Sequence, residues 1–273
     1  MRKIVSLPGA AEASGVHPAK RSEEFVPAVF EPQWVPTSNE RNLQVVMDQV
    51  AKAPGRRRFI SVTGEAGRGK TLTTLREAGQ AKAVHMLMLE IWRSPLPFLQ
   101  ALCREHGVEH PPRRTNDCWL LLIDRLISRS KPVYLDEMDM TPHLLNVVRQ
   151  LAEITAVPFV LVGEEALIAQ LASVKRCWSG TYQALQFESV ALSDVIFYAK
   201  QSGGLELLPE SAGLIHGSPC GRDWRDLERV THTLVEIANS KRSRTITEAM
   251  AEQALRMSLK GEDGVRSRKG VGR

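Results

Sequence analysis

Phe59-Ile-Ser-Val-Thr-Gly64-Glu-Ala-Gly-Arg-Gly-Lys70-Thr-Leu-Thr-Thr74 joins a β-branched apolar run to a glycine-rich loop and then to residues that suit the first turns of a helix. Gly64, Gly69, Lys70 and Thr71 stand at the spacing G-x-x-x-x-G-K-[ST], with an extra Gly67 inside it. Glycines let successive main-chain N–H groups turn inward around an anion. A lysine placed after them reaches the outer phosphates of a nucleoside triphosphate, and the hydroxyl that follows holds a divalent cation. The loop Gly64, Glu65, Ala66, Gly67, Arg68, Gly69, Lys70, Thr71 and Leu72 is therefore the candidate site for ATP, with Thr71 on Mg²⁺. Strand, loop and helix in this order predict an α/β fold.

The flanking sequence supplies the rest of such a core. Thr37-Ser-Asn-Glu40 has capping-box spacing, and Leu43, Val46, Met47 and Val50 follow on one helical face, so an amphipathic helix precedes the first strand. Val84–Ile91 is a second strand, and helices are expected over 96–105 and 116–129. Pro132–Leu135 and Pro158–Val162, separated by a helix over 142–154, are continuous apolar runs of the kind seen in strands covered on both faces. Ala184–Phe187 completes a mainly parallel sheet of five strands. From Ser193 the pattern is helical only, over 194–201, 210–216, 224–239 and after Thr245-Ile-Thr-Glu248. The expected layout is a flexible N-terminal arm over 1–36, a nucleotide-binding core over 37–190, a small C-terminal helical lid over 191–260 and a basic disordered tail over 261–273.

Of the 273 residues, 43% are hydrophobic and 25% charged, as in ordinary globular proteins, and no apolar run approaches the roughly 20 residues that cross a bilayer. The start, MRKIVSLPGAAEASG, has too short an apolar stretch before Pro8 and Gly9 for a signal-peptide core. A cytoplasmic protein without a membrane partner is expected. Cys103, Cys118, Cys177 and Cys220 lack the spacing of zinc ligands or of a disulfide framework and read as reduced thiols. The net charge of +5 favours an anionic partner.

A bound triphosphate also needs a carboxylate at the tip of another strand, and Val133-Tyr-Leu-Asp136-Glu137 supplies it. Asp136 is the metal-side residue, and Glu137 is placed to polarise a water for attack on the γ-phosphate. Asp139 extends this acidic cluster. After the next apolar strand, Gly163-Glu164-Glu165 puts Glu164 where a γ-phosphate sensor would stand, acting through water or a neighbouring cation. In Gly221-Arg-Asp-Trp-Arg225-Asp-Leu227, Arg225 opens a lid helix and can couple lid angle to nucleotide state. Arg176 is the candidate to act across a subunit boundary, with Lys175 as the competing assignment; Trp178 and Trp224 read as packing residues. For nucleic acid the candidates are Arg93, Arg113, Arg114 and Lys131, with the Lys241-Arg-Ser-Arg244 cluster and the tail behind them. Such residues bind phosphate oxygens without reading bases.

Together, GEAGRGKT, VYLDEMD, FVLVGEEAL, the basic KRCWSGTYQALQFESV and GRDWRDLERV resemble the AAA+ ATPases, and within them the transposition-helper group of Mu-like transposable phages and related target-selector ATPases. The resemblance spans about residues 35–260. It implies a P-loop AAA+ core with a helical lid, use of ATP and Mg²⁺, and assembly of a homo-oligomer into a helical filament on double-stranded DNA. It further implies recruitment and stimulation of a transposase, with release after hydrolysis. Two departures stand out. Mu-type proteins carry an N-terminal DNA-binding domain, whereas the arm here is short and proline-rich, which places DNA contact on the core. Where many relatives show a second arginine shortly after the one matching Arg176, this chain has Gly180. The alternative reading is an ATP-switched assembly factor that acts on protein partners without DNA, like secretion-associated ATPases. Those usually add a membrane segment or a peptidoglycan-binding region, and neither is evident in the sequence. A small-molecule kinase suits Glu137 and a separate lid less well.

Overall fold

The computed structural model describes residues 25–55 and 57–269; the rest of the expected arm and tail, 1–24 and 270–273, lies outside them. Helix α1 (Ser38–Lys52) starts where the Thr37 hydroxyl accepts the Glu40 N–H, and it turns Leu43, Val46 and Val50 inward. The buried Asn39 bonds both main-chain groups of Glu188, fixing α1 to the chain that leaves the sheet. Next come β1 (Phe59–Thr63), α2 (Lys70–Ala81), β2 (Val84–Leu87), α3 (Pro95–Glu105), α4 (Thr115–Arg129) and β3 (Val133–Asp136). Two short 3-10 turns, at Met138–Met140 and Pro142–Leu144, lead into α5 (Leu145–Thr155), so the helix expected from Pro142 starts one turn later. Then follow β4 (Phe159–Val162), α6 (Ala166–Ser173), α7 (Lys175–Gly180) and β5 (Thr181–Gln186).

The five strands are all parallel, in the order β2-β3-β4-β1-β5. Side chains alternate between faces. Phe59, Val133, Leu135, Phe159 and Leu161 pack with α3–α7, whereas Ile60, Val62, Tyr134, Val160 and Val162 pack with α1 and α2. The two edge strands have limits that differ from the sequence expectation. β2 stops at Leu87 rather than Ile91 because its one partner, β3, ends at Asp136, whose carbonyl accepts the last bond, from Met88 N–H (2.8 Å). β5 begins at Thr181 rather than Ala184; half-exposed along its length, it carries no continuous apolar run to mark its start.

Beyond the sheet, α8 (Leu192–Gly203), β6 (Glu206–Leu207), α9 (Pro209–Gly217), α10 (Trp224–Lys241), β7 (Thr245–Ile246) and α11 (Glu248–Lys269) enclose a separate apolar core. This lid is not helical only. β6 and β7 pair in parallel, Glu206 with Thr245 and Leu207 with Ile246, and strands of two residues have no periodicity to read. The stretch expected as a tail from Gly261 continues α11 as far as Lys269, with no proline to stop it. Among the described residues, no helix is long and apolar enough to cross a membrane.

Residues 25–36 correct the expectation of a flexible arm. They form neither helix nor strand, yet they are strapped across the lid. Ala28 N–H donates to Asn239 Oδ1 (2.7 Å) while Asn239 Nδ2 donates to the Ala28 carbonyl (2.9 Å). Glu31 N–H donates to the Ser202 carbonyl (2.8 Å) and Gln33 N–H to its hydroxyl (2.9 Å). Ala28 and Val35 are buried in the lid core, and Phe30 meets His232 edge-on at 5.3 Å. Pro27, Pro32 and Pro36 suppress regular structure here but leave an extended chain that side chains can hold.

Candidate nucleotide site and lid

Because β3, β4 and β1 are parallel neighbours, their C-terminal ends bring three loops to one edge of the sheet, where open α/β folds place ligands. The glycine-rich loop rises from β1 and opens α2 at Lys70. Gly67 lies at φ +77°, and a Cβ on it would overlap the Asp223 carboxylate, so glycine alone lets the loop touch the lid. Trp224 N–H donates to the Gly67 carbonyl (3.0 Å), and the Arg68 guanidinium donates to the Arg222 carbonyl (2.5 Å) while pairing with Glu65. Lys70 Nζ is turned back onto the carbonyls of Gly64 (2.6 Å) and Glu65 (2.9 Å). Burial lowers its pKa; Glu164, Asp136 and Asp139 oppose that shift, and Arg225 adds to it.

Asp136 is buried at the tip of β3, and its Oδ1 accepts the Glu137 N–H (3.0 Å). Glu137 is exposed and adopts φ +56°, uncommon for a residue with a side chain. Asp139 ties this segment to the end of β4: its Oδ1 accepts the Glu164 N–H (3.3 Å), and its carbonyl accepts Gln170 Nε2 (3.0 Å). A Cβ on Gly163 would overlap that same carboxylate.

Ala66, Gly67, Gly69, Lys70, Thr71, Leu72, Asp136, Glu137, Asp139, Glu164 and Arg225 converge on one cavity of about 430 Å³. Glu65 and Arg68, expected with the loop, instead face the lid hollow beside Asp223. A hydroxyl (Thr71) and a carboxylate (Asp136) on this cavity are hard oxygen donors that suit Mg²⁺.

A second, mainly apolar cavity of about 240 Å³ adjoins the first through Gly69, Leu72, Trp224 and Arg225. Its other walls include Trp34, Val35 and Tyr198. Trp224 meets Tyr198 edge-on at 5.7 Å and lines both cavities, so it does more than the packing expected of it. Sequence reasoning missed Trp34 and Tyr198. The one available signal was a tryptophan inside a segment otherwise read as flexible.

Arg176 does not reach either cavity. It is exposed on α7, before β5, and so stands at the edge where the strands begin, opposite the glycine-rich loop. Trp178 beside it is 46% exposed and is not the packing residue expected. The four basic candidates are all exposed but do not form one cluster. Arg93 follows the end of β2, Arg113 and Arg114 lie between α3 and α4, and Lys131 precedes β3 at the opposite edge from Arg93. In the distal basic cluster, Arg244 donates to the Val26 carbonyl (3.1 Å) and so holds the strap.

Residues 53–171 match a family model described as AAA domain. No curated protein matches the chain. Among solved structures, the chain is similar to Cdc6p from Pyrobaculum aerophilum (18% identity, TM-score 0.61, covering 86% of this chain and 72% of that one). It is also similar to the Aeropyrum pernix ORC1 protein solved in complex with DNA (19% identity, TM-score 0.52, 83% and 66%). A third similar structure is the Thermotoga maritima RuvB Holliday junction branch migration motor (15% identity, TM-score 0.54, 80% and 68%). With its five-stranded parallel sheet, its glycine-rich loop after β1 and its helical C-terminal region, the chain has the AAA+ P-loop fold.

Proposed function

We propose that this chain is an ATP-hydrolysing switch that works on double-stranded DNA as a homo-oligomer. The observation that carries the reading is the convergence of Lys70, Thr71, Asp136, Glu137 and the lid residue Arg225 on one cavity. Lys70 leaves the Gly64 and Glu65 carbonyls to meet the β- and γ-phosphates. Thr71 and Asp136 would hold Mg²⁺, which would supply positive charge beside the phosphates. Glu137 takes a proton from the attacking water, and Glu164 senses the γ-phosphate through water or a cation. Arg225 contacts the γ-phosphate from the lid, so that loss of that phosphate on hydrolysis frees the Arg225 end of the lid. Arg176, on the far edge of the sheet, serves the cavity of a neighbouring copy.

Two features support DNA as the partner: the net charge of +5, and likeness in fold to a protein solved with DNA and to a branch migration motor. Within this reading, the motif set described above supports transposition: a filament on duplex DNA in the cytoplasm that selects targets for, and activates, a transposase. Arg93, Arg113, Arg114 and Lys131 contribute phosphate contacts.

Sedimentation and negative-stain imaging of Glu137→Gln with ATP, with and without duplex DNA, test the reading. DNA-dependent oligomers that are lost in Lys70→Ala are expected. If ATP-dependent oligomers form equally well without DNA over a range of salt, the protein-partner alternative replaces this one.

A further inference from the structure

All five strands of the core run the same way, so the segments that lead into them meet along one edge of the sheet and the loops that leave them meet along the other. The two edges differ in charge. The leading segments, 52–58, 82–83, 129–132, 155–158 and 174–180, contain no carboxylate. They place Lys82 before β2, Arg129 and Lys131 before β3, Lys52 and Arg57 before β1, and Lys175 and Arg176 before β5. Each of these side chains is exposed, and among the described residues none is held in an ion pair. The segment before β4 has no charge of its own, but Arg58 reaches it: Nε donates to the Ala156 carbonyl (2.9 Å), while Nη1 donates to the Ala53 carbonyl (3.2 Å) and so fixes the turn that carries Arg57. At the other edge, Glu65, Glu90, Glu137, Asp139, Glu164 and Glu165 stand in the loops that leave the strands. A polyanion is thus drawn to the first edge and repelled by the carboxylates of the second. Lys52, Lys82 and Arg129 end α1, α2 and α4, where a cation complements the helix dipole and needs no ligand to explain it. Arg57 and Lys131 stand outside any helix, however, and Lys175 and Arg176 open α7, the end that a cation opposes.

We infer that the edge where the strands begin is the surface that duplex DNA lies against, with Lys52, Arg57, Lys82, Arg129 and Lys131 contacting its phosphates. The inference rests on the DNA reading above and says which face of the molecule serves it. Neighbouring strands lie about 4.8 Å apart, so five strand starts span roughly 20 Å. Duplex DNA carries one charge per about 1.7 Å of its axis, roughly a dozen over that length, enough to engage every one of these side chains. Lysine and arginine on phosphates read no bases, so this edge gives affinity without sequence choice. It lies across the sheet from the nucleotide cavity, and DNA and ATP do not compete for it. Arg93, in contrast, stands at the acidic edge, three residues after Glu90.

Fluorescence anisotropy with a short labelled duplex and Mg²⁺-ATP, repeated over a range of salt, counts the phosphate contacts, because log K falls with log salt by about 0.9 per contact. The combined substitutions Lys82→Gln, Arg129→Gln and Lys131→Gln should make that slope shallower by about 2.7 and weaken binding several-hundredfold at about 0.1 M salt. Lys52→Gln with Arg57→Gln should make it shallower by about 1.8. Arg176, assigned above to a neighbouring copy, is left as it is. Removing three charges from the lid instead, by Lys200→Gln, Lys241→Gln and Arg242→Gln, should leave the slope as in wild type. All the substituted side chains are exposed, so each variant should unfold at the wild-type temperature. An equal fall in the lid variant would mean that only the total charge counts and would overturn the inference, as would a wild-type slope in the two edge variants; in either case wild-type binding to the duplex would leave the DNA reading standing. Wild-type protein with no salt-dependent binding to the duplex overturns the DNA reading and this one with it.

Discussion

Acid should loosen the α3–α4 pair through one residue, His106. It follows α3 directly, is 2% exposed, and donates its main-chain N–H to the Leu102 carbonyl (3.1 Å), while neither ring nitrogen has a protein partner. Burial pushes its pKa down to about 4, and the nearby Arg129 and Arg125 guanidinium groups push the same way. In the unfolded chain the ring titrates near 6.5. Between those two values the unfolded chain binds a proton that the folded chain does not, so stability rises with pH across that window. The contribution is complete above about pH 6.5 and is lost as pH falls to about 4. A difference of about 2.5 pH units corresponds to about 3 kcal/mol, a large part of the stability of an ordinary domain.

Urea unfolding of wild type and His106→Phe, at several pH values from 7.5 to 4, isolates this contribution, because carboxylate titrations common to both chains cancel in the difference. At pH 7 the variant should lie within about 1 kcal/mol of wild type, since an apolar ring of similar shape replaces two unpaired nitrogens. As pH falls, its advantage should widen by about 3 kcal/mol. A difference that stays constant over this range would refute the assignment and place the acid sensitivity elsewhere.

Two further substitutions probe the contacts that join the loops and the lid. Gly163→Ala should drive Asp139 away from the Glu164 N–H at a cost of about 1 kcal/mol and slow ATP turnover on the order of tenfold while nucleotide still binds; turnover at the wild-type rate would show that the Asp139 link does not set the Glu164 position. Asn239→Ala removes both bonds to Ala28 and leaves that buried main chain unpaired, a loss of about 1–3 kcal/mol, so limited proteolysis within residues 25–36 should accelerate; cleavage at the wild-type rate would mean that the strap is held by its apolar contacts alone.

How much of this was legible depended on whether a feature is built from one segment or from several. β1, β3 and β4 are buried on both faces, so each is a continuous apolar run that reads as a strand without knowledge of its neighbours. The end of β2 depends on where its partner strand stops, and the half-exposed β5 has no apolar run to mark its start, so the limits of both shifted. The phosphate side of the site was legible for the same reason as the inner strands. Lys70 and Thr71 belong to a contiguous loop whose chemistry is local, and Asp136 and Glu137 sit at the tip of a recognisable strand. The smaller cavity could not be read in that way, because Trp34, Tyr198 and Trp224 come from three segments distant in sequence. Proline content made the first of those segments look unstructured, although extended chain held by Asn239, Ser202 and Arg244 needs no periodicity at all.

The strap also changes how the two cavities relate. Its residues 28–33 are bonded to the lid, while Trp34 is bonded to Glu40 and Arg76 on the core, so the chain crosses from one body to the other at the wall of the smaller cavity. On the lid side, the adjacent residues Trp224 and Arg225 line both cavities from the first turn of α10. A nucleotide seated as proposed would thus fill a seam. Its phosphates would lie between core and lid, met on the lid side by that one helical turn. Loss of the γ-phosphate would remove the Arg225 contact and leave the strap's bonds to the lid in place. Hydrolysis would then be expected to tilt the lid about the strap that joins it to the core rather than release it, which is a motion a neighbouring subunit can read.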